Sequence, residues 1–164
     1  METSMDRLLS VTLRLTRVLN TIAGFTLIGM MLLTVSDVTL RLFRKPILGT
    51  YEIVSLSLGV VIGFAVPFTS WIRGHIYVDF LINKFPSPVT KAFNIVTRCL
   101  VIALFILLGI FLINLAAEFY KSGEVSLTLK MPFYPVAFAI GLCCFIQCLV
   151  LLTDILKIAR GKYE

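Results

Sequence analysis

Four long stretches of this sequence contain neither a charged residue nor a histidine. They cover residues 18–36, 53–72, 99–117 and 131–153. A helix needs about 20 consecutive apolar residues to cross a bilayer, and lipid offers the backbone no hydrogen-bond partners, so a spanning segment is expected to be helical. The strands of a membrane β-barrel would instead alternate in polarity over about 10 residues. The pattern therefore predicts an all-α membrane protein, a single domain with four transmembrane helices at 18–42, 51–72, 89–117 and 132–157.

Two shorter amphipathic segments lie next to these apolar runs, and each predicts a short interfacial helix. Within residues 1–17, one helical face holds Met5, Leu8, Leu9, Thr12 and Leu15, as in a helix that lies along a membrane surface. A frayed terminus is the alternative. Between helices 2 and 3, residues 75–85 have apolar positions at helical spacing. Ser87 and Pro88 then suit the start of the third helix.

Composition supports the membrane interpretation. Of the 164 residues, 59% are hydrophobic and 15% are charged, whereas a soluble domain is about 25% charged. Four apolar helices in a chain of this length leave no polar shell to cover them. The first run is followed by Asp37 and Arg41 rather than by a small-residue cleavage site, so we expect it to be retained.

The distribution of positive charge predicts an orientation. With both termini in the cytoplasm, ten of the 15 Lys and Arg residues lie inside and five outside, as the positive-inside rule favours. The net charge of +6 indicates attraction to phospholipid headgroups rather than to nucleic acid.

Residues for catalysis or metal binding are scarce. The one histidine, His75, lies at a membrane edge, where a local hydrogen bond to Asp79 is its expected role. The four cysteines lie within predicted spans, whereas thiol exchange needs exposed, activated thiols and iron–sulfur or zinc sites need spaced ligands. We therefore expect no enzyme activity, no cofactor and no metal, with the cysteines serving as small packing residues.

The loop between helices 1 and 2 carries the first candidate site. Asp37 and Arg41 are four residues apart, a spacing that allows an ion pair on a helix. Arg41 has an alternative partner in Glu52, because the turn containing Pro46 and Gly49 brings the two helix ends together. We expect a structural staple here rather than a substrate site.

Two further surfaces are candidates for contacts. Small residues recur every four positions in helix 2 and allow another helix, of this chain or of a partner, to approach closely; they are Ser55, Gly59, Gly63 and Pro67. A polar stripe at the start of helix 3 is suited to lipid phosphates or a partner; it comprises Lys91, Asn94 and Arg98. A solvated helix end with snorkelling side chains is the alternative for this stripe.

These loop residues follow a recognisable order. Arg41, Pro46, Gly49 and Glu52 form the pattern Arg-x4-Pro-x2-Gly-x2-Glu, and helix 2 is followed by a second motif that includes Arg73, Gly74, His75 and Asp79. The two motifs resemble the small membrane subunit (Q, DctQ-like) of tripartite ATP-independent periplasmic (TRAP) transporters. The length, the four-helix plan and the loop placement of the whole chain also agree with that family.

The resemblance implies a location in the bacterial inner membrane and a set of partners. In that family a large membrane subunit carries the substrate and sodium sites, and a periplasmic binding protein delivers an organic acid such as sialic acid or a C4-dicarboxylate. The small subunit would be a scaffold in contact with phospholipids. The external loops would offer contacts to the binding protein through Arg44, Lys45, Lys121, Glu124 and Lys130.

Two other functions fit the length and the four spans. A quinone-linked disulfide oxidase would need cysteines in its external loops, and a self-assembling exporter of cationic drugs would need a carboxylate inside a span. The sequence has neither feature.

Overall fold

The computed structural model describes residues 2–72 and 87–159, which form four long helices: α1 (Glu2–Leu42), α2 (Thr50–Trp71), α3 (Ser87–Ser122) and α4 (Tyr134–Ala159). All four are long and apolar enough to cross a membrane. The prediction of an all-α protein with four transmembrane helices is therefore confirmed.

Helix α1 is longer than the predicted span. It runs without a break through 41 residues, which at 1.5 Å per residue is about 62 Å, twice the thickness of the hydrocarbon. The expected N-terminal interfacial helix is thus not shown as a separate element, because no proline or glycine interrupts the first turns. Within this extension the packed side chains are Thr12 and Thr16, whereas Leu15 is exposed. The second expected interfacial helix, at 75–85, lies outside the described residues.

Across the molecule the helices stand in the order α1, α2, α4, α3. Helix α4 packs against both α2 and α3, while α1 packs mainly against α2. The burial of each helix follows from this order: 39% of the most apolar stretch of α4 is buried within the chain, against 6–11% for the other three. Helix α4 is therefore the centre of the fold.

The chain leaves an unusually large surface uncovered. Its accessible area is 11461 Å², whereas a compact soluble protein of 18.3 kDa would expose about 8,100 Å². Large apolar side chains along α1 and α3, among them Phe25, Leu32, Leu100 and Phe111, are more than half exposed. This surface must face lipid or other membrane helices, because water would disfavour it.

Small residues hold the helices together. Gly59 and Gly63 of α2 face Ile140 of α4, so close that a Cβ at Gly63 would lie 3.1 Å from two atoms of that side chain. The small-residue face predicted from the sequence is thus used within the chain for these two glycines. Pro67 is also buried, whereas the hydroxyl of Ser55 donates to the carbonyl of Tyr51 on its own helix.

We predict that Gly63→Leu destabilises the isolated chain in detergent, because the new side chain must displace Ile140. Overpacking of this kind costs about 1–3 kcal/mol. Gly29→Leu is the matched control, since a Cβ at Gly29 meets nothing within 4 Å. Denaturant unfolding followed by circular dichroism measures both variants. Equal stabilities of the two would contradict the packing described here.

Candidate interaction sites at the helix ends

Asp37 organises the turn between α1 and α2. Its side chain is buried; Oδ2 accepts a hydrogen bond from Arg41 Nε at 2.8 Å, and Oδ1 accepts one from the backbone N–H of Ile47 at 2.9 Å. The Arg41 guanidinium also contacts Oδ2 through Nη2 at 2.6 Å. The ion pair expected from the spacing is therefore present. It neutralises a buried carboxylate that in turn satisfies a loop N–H group.

The backbone of this turn explains why its glycine is needed. Helix α1 ends with the N–H of Lys45 bonded to the carbonyl of Leu40, while Arg44 adopts a left-handed conformation with φ 58°, the geometry of a Schellman cap. Pro46 follows and cannot continue a helix. Gly49 has φ 80°, and a Cβ there would collide with the side chain of Leu129. Only glycine suits both the conformation and the close approach.

Glu52, in the first turn of α2, organises the other loop at this end of the molecule. Its carboxylate accepts hydrogen bonds from Ser126 Oγ at 2.7 Å and from the backbone N–H groups of Thr128 and Leu129 at 2.7 and 2.9 Å. Ser126 is buried, and its hydroxyl also accepts a bond from the N–H of Met131. Hydrogen bonds to a charged acceptor are stronger than neutral ones, so Glu52 fixes the loop to α2.

The alternative pairing of Arg41 with Glu52 is therefore wrong. Arg41 is held by Asp37 on its own helix, and the Glu52 carboxylate is occupied by the loop between α3 and α4. The polar residues around Ser126 indicate a loop in the sequence. They do not indicate that the partner of Ser126 is Glu52, which lies 74 positions away.

Four of the five residues proposed to contact a binding protein lie on the loops between α1 and α2 and between α3 and α4, and the fifth, Lys121, lies in the last turn of α3. Each of the five is exposed: Arg44, Lys45, Lys121, Glu124 and Lys130. Between them Leu127 is 97% exposed and Tyr51 is 88% exposed. Residues 43–49 and 123–133, which we call the loop end, therefore form one joined surface that combines basic and apolar side chains.

The opposite end of the helices holds a buried ion pair. Arg98 Nε of α3 contacts Asp154 Oδ2 of α4 at 2.6 Å, and both side chains are largely buried. This corrects the assignment of Arg98 to a lipid-facing or partner-facing stripe, because its guanidinium lies between two helices of the chain. Lys91 and Asn94 lie in the first turns of α3, and their side chains are outside the described part.

A second polar contact crosses from α2 to α4. Gln147 Nε2 donates to Ser70 Oγ at 2.6 Å, and both residues are buried. Neither residue was identified from the sequence, because each lies inside an apolar run. The motif after α2, with Arg73, Gly74, His75 and Asp79, lies outside the described residues.

The cysteines carry no exposed thiol pair. Cys143, Cys144 and Cys148 are buried along α4, Cys99 is exposed on α3, and all four are free. All four were expected to serve as packing residues; the three buried cysteines of α4 match that role, whereas the exposed Cys99 does not. Among residues 2–72 and 87–159, no three His, Cys, Asp or Glu side chains lie together as metal ligands would.

These contacts define a class of protein: a multi-pass membrane protein whose polar interactions fix loops and helix ends. Residues 30–161 match the family described as tripartite ATP-independent periplasmic transporters, DctQ component. Because the match covers most of the chain, the protein belongs to this family and is the small membrane subunit of a TRAP transporter in an inner membrane. Members of the family work with a large membrane subunit and a binding protein. A comparison with curated proteins found no match.

We predict that Glu52→Gln loosens the loop between α3 and α4, because an amide nitrogen cannot accept the bonds that one carboxylate oxygen accepts. Losing hydrogen bonds to a charged group costs about 1.5–3 kcal/mol, so the amide protons of Thr128 and Leu129 should exchange with deuterium at least about tenfold faster. Glu124→Gln, in the same loop but exposed, is the control. An equal change in both variants, or none, would contradict the assigned role.

We predict strong coupling between Arg98 and Asp154. Arg98→Leu and Asp154→Leu each remove one charge of the buried pair, at a cost of about 3–5 kcal/mol. The double variant removes both charges and should be more stable than either single variant. Denaturant unfolding of the three chains measures this, and additive losses would count against a buried ion pair.

Proposed function

We propose that this chain is the scaffold that holds the large TRAP subunit in the membrane. The observation that carries the proposal is the uncovered apolar surface of α1, α2 and α3, combined with membership of the DctQ family. A scaffold needs broad helix faces for a partner, rigid connections between its helices and anchors at both membrane boundaries. The buried polar contacts at the two ends supply the rigid connections.

We further propose that the complex imports an organic acid, of the sialic acid or C4-dicarboxylate class, with a sodium gradient as the driving force. The substrate and ion sites then belong to the large subunit. Supporting this division, the four apolar runs contain no ionisable group at mid-membrane apart from thiols, whereas proton-coupled carriers and ion pumps usually place an ionisable residue there.

The loop end is proposed to face the periplasm, with both termini in the cytoplasm. The count of basic residues supports this orientation. In it, the exposed lysines and arginines of the two joined loops, together with Leu127 and Tyr51, are available to help dock the binding protein. The start of α3, which carries Lys91 and Asn94, would then lie at the cytoplasmic boundary, near phospholipid headgroups or the large subunit.

A membrane redox enzyme is the alternative function. It would need a reactive thiol pair at an aqueous surface. The burial of Cys143, Cys144 and Cys148 within the helix contacts disfavours it.

We predict that a tagged copy of this chain, co-expressed with the large subunit of the same transporter, purifies with that subunit in nanodiscs. Arg41→Ala and Glu52→Ala should lower the yield of the complex several-fold without changing which solute is transported. The first removes the counter-charge of Asp37, which holds one loop, and the second releases the other loop. Glu124→Ala is the control. If the unaltered chain does not purify with the large subunit, the scaffold proposal is wrong. A changed solute preference in the loop variants would mean that this chain lines the pathway.

A further inference from the structure

A groove opens on one face of α4, between α2 and α3. It encloses about 280 Å³, and its walls are almost entirely apolar. Gly63 and Pro67 of α2, Leu108 of α3, and Cys143 of α4 are among its lining residues. The groove lies where α2 and α3 each pack against α4.

One polar side chain, Gln147, lines this apolar groove. It is 2% exposed; its Nε2 donates to Ser70 Oγ, while its Oε1 is buried and has no hydrogen-bond partner among the described residues. Rotating the amide by 180° would exchange the two atoms and leave Nε2 without such a partner instead. In either orientation, the described part of the chain satisfies only one polar end of the amide.

The missing hydrogen bond is costly because Gln147 lies within the membrane. The residue lies inside the apolar run 131–153, seven residues before Asp154, which is about 10 Å along the helix. Lipid tails provide neither donors nor acceptors, so an unpaired amide group at this depth costs several kcal/mol. A lipid acyl chain in the groove would fill the space but would provide no hydrogen-bond partner for the amide.

We infer that the groove receives a transmembrane helix of the large subunit, which presents a hydroxyl or amide side chain to Gln147. This inference rests on the proposed scaffold function, and it adds where the large subunit binds and which kind of side chain makes the contact. Polar side chains commonly form hydrogen bonds between helices in membranes.

A second copy of this chain is a poor match for the groove. The hydroxyls of Thr21, Thr26 and Thr34 on the exposed helix α1 already donate to carbonyls of their own helix. Asn114 of α3 lies eight residues from the end of its helix at Ser122, whereas Gln147 lies 13 residues from the start of α4 at Tyr134. Two copies in the same orientation would hold these amides about 8 Å apart in depth.

Photo-crosslinking in the complex tests whether the groove is the binding site of the large subunit. Leu108 lines the groove and is 38% exposed, while its neighbour Leu107 is 65% exposed and lines a different surface. With p-benzoylphenylalanine in place of Leu108, we expect a crosslink to the large subunit. The same probe in place of Leu107 should give at least about fivefold less. Crosslinks from position 108 only to lipid, or to a second copy of this chain, would overturn the inference.

A matched pair of variants tests the hydrogen bond. Gln147→Met and Ser70→Ala both remove the contact between α2 and α4, but only the first removes the amide. One intramembrane hydrogen bond is worth about 0.6–1.7 kcal/mol, so Gln147→Met should raise the dissociation constant of fluorescently labelled subunits in liposomes about three- to twentyfold. Ser70→Ala should leave it unchanged.

The unfolding of the isolated chains separates docking from a purely structural role. We expect Gln147→Met to destabilise the isolated chain no more than Ser70→Ala does. Equal dissociation constants for the two variants would overturn the inference. If the unaltered chain fails to purify with the large subunit, the scaffold function itself fails. If it does purify, but crosslinks from Leu107 and not from Leu108, only the groove assignment fails.

Discussion

The hydrogen bonds that Asp37 and Glu52 accept from loop groups fix the architecture of this protein. A bilayer satisfies no polar group, so the helices satisfy their own backbones and the connections must find partners at the membrane boundary. Asp37 satisfies the N–H of Ile47, and Glu52 satisfies those of Thr128 and Leu129. Two carboxylates thereby turn two short connections into one rigid surface that sets how α1, α2, α3 and α4 meet.

The lateral order of the helices follows from where close contact is possible. Glycines on α2 admit Ile140, and Gly109 and Gly141 bring α3 against α4 in the same way. Because α4 receives a neighbour on each side, it is the helix whose faces are best covered, and the outer helices remain open. An open arrangement is unfavourable for a protein that acts alone but suits one that presents its helix faces to a larger membrane partner.

The four helices and the pair Asp37–Arg41 were predictable because they depend on local sequence. A span is a continuous apolar run, and an ion pair at a spacing of four follows from the helix repeat. The contacts of Glu52 with Ser126, and of Arg98 with Asp154, join residues 74 and 56 positions apart. Because the four helices have similar apolar compositions, the sequence does not indicate which of them pack against each other. The amphipathic start of α1 predicted a separate interfacial helix. No residue in this segment ends a helix, so it continues directly into the span.

We propose that these helices contact lipid and other helices, and never the transported solute. Sodium-driven uptake of the proposed organic acid can be measured in liposomes that contain this chain alone, the large subunit alone, or both, each with the binding protein outside. We expect no uptake by this chain alone and full uptake only when both membrane subunits are present. Uptake by this chain alone would mean that it forms a solute pathway, and the scaffold function would then be wrong.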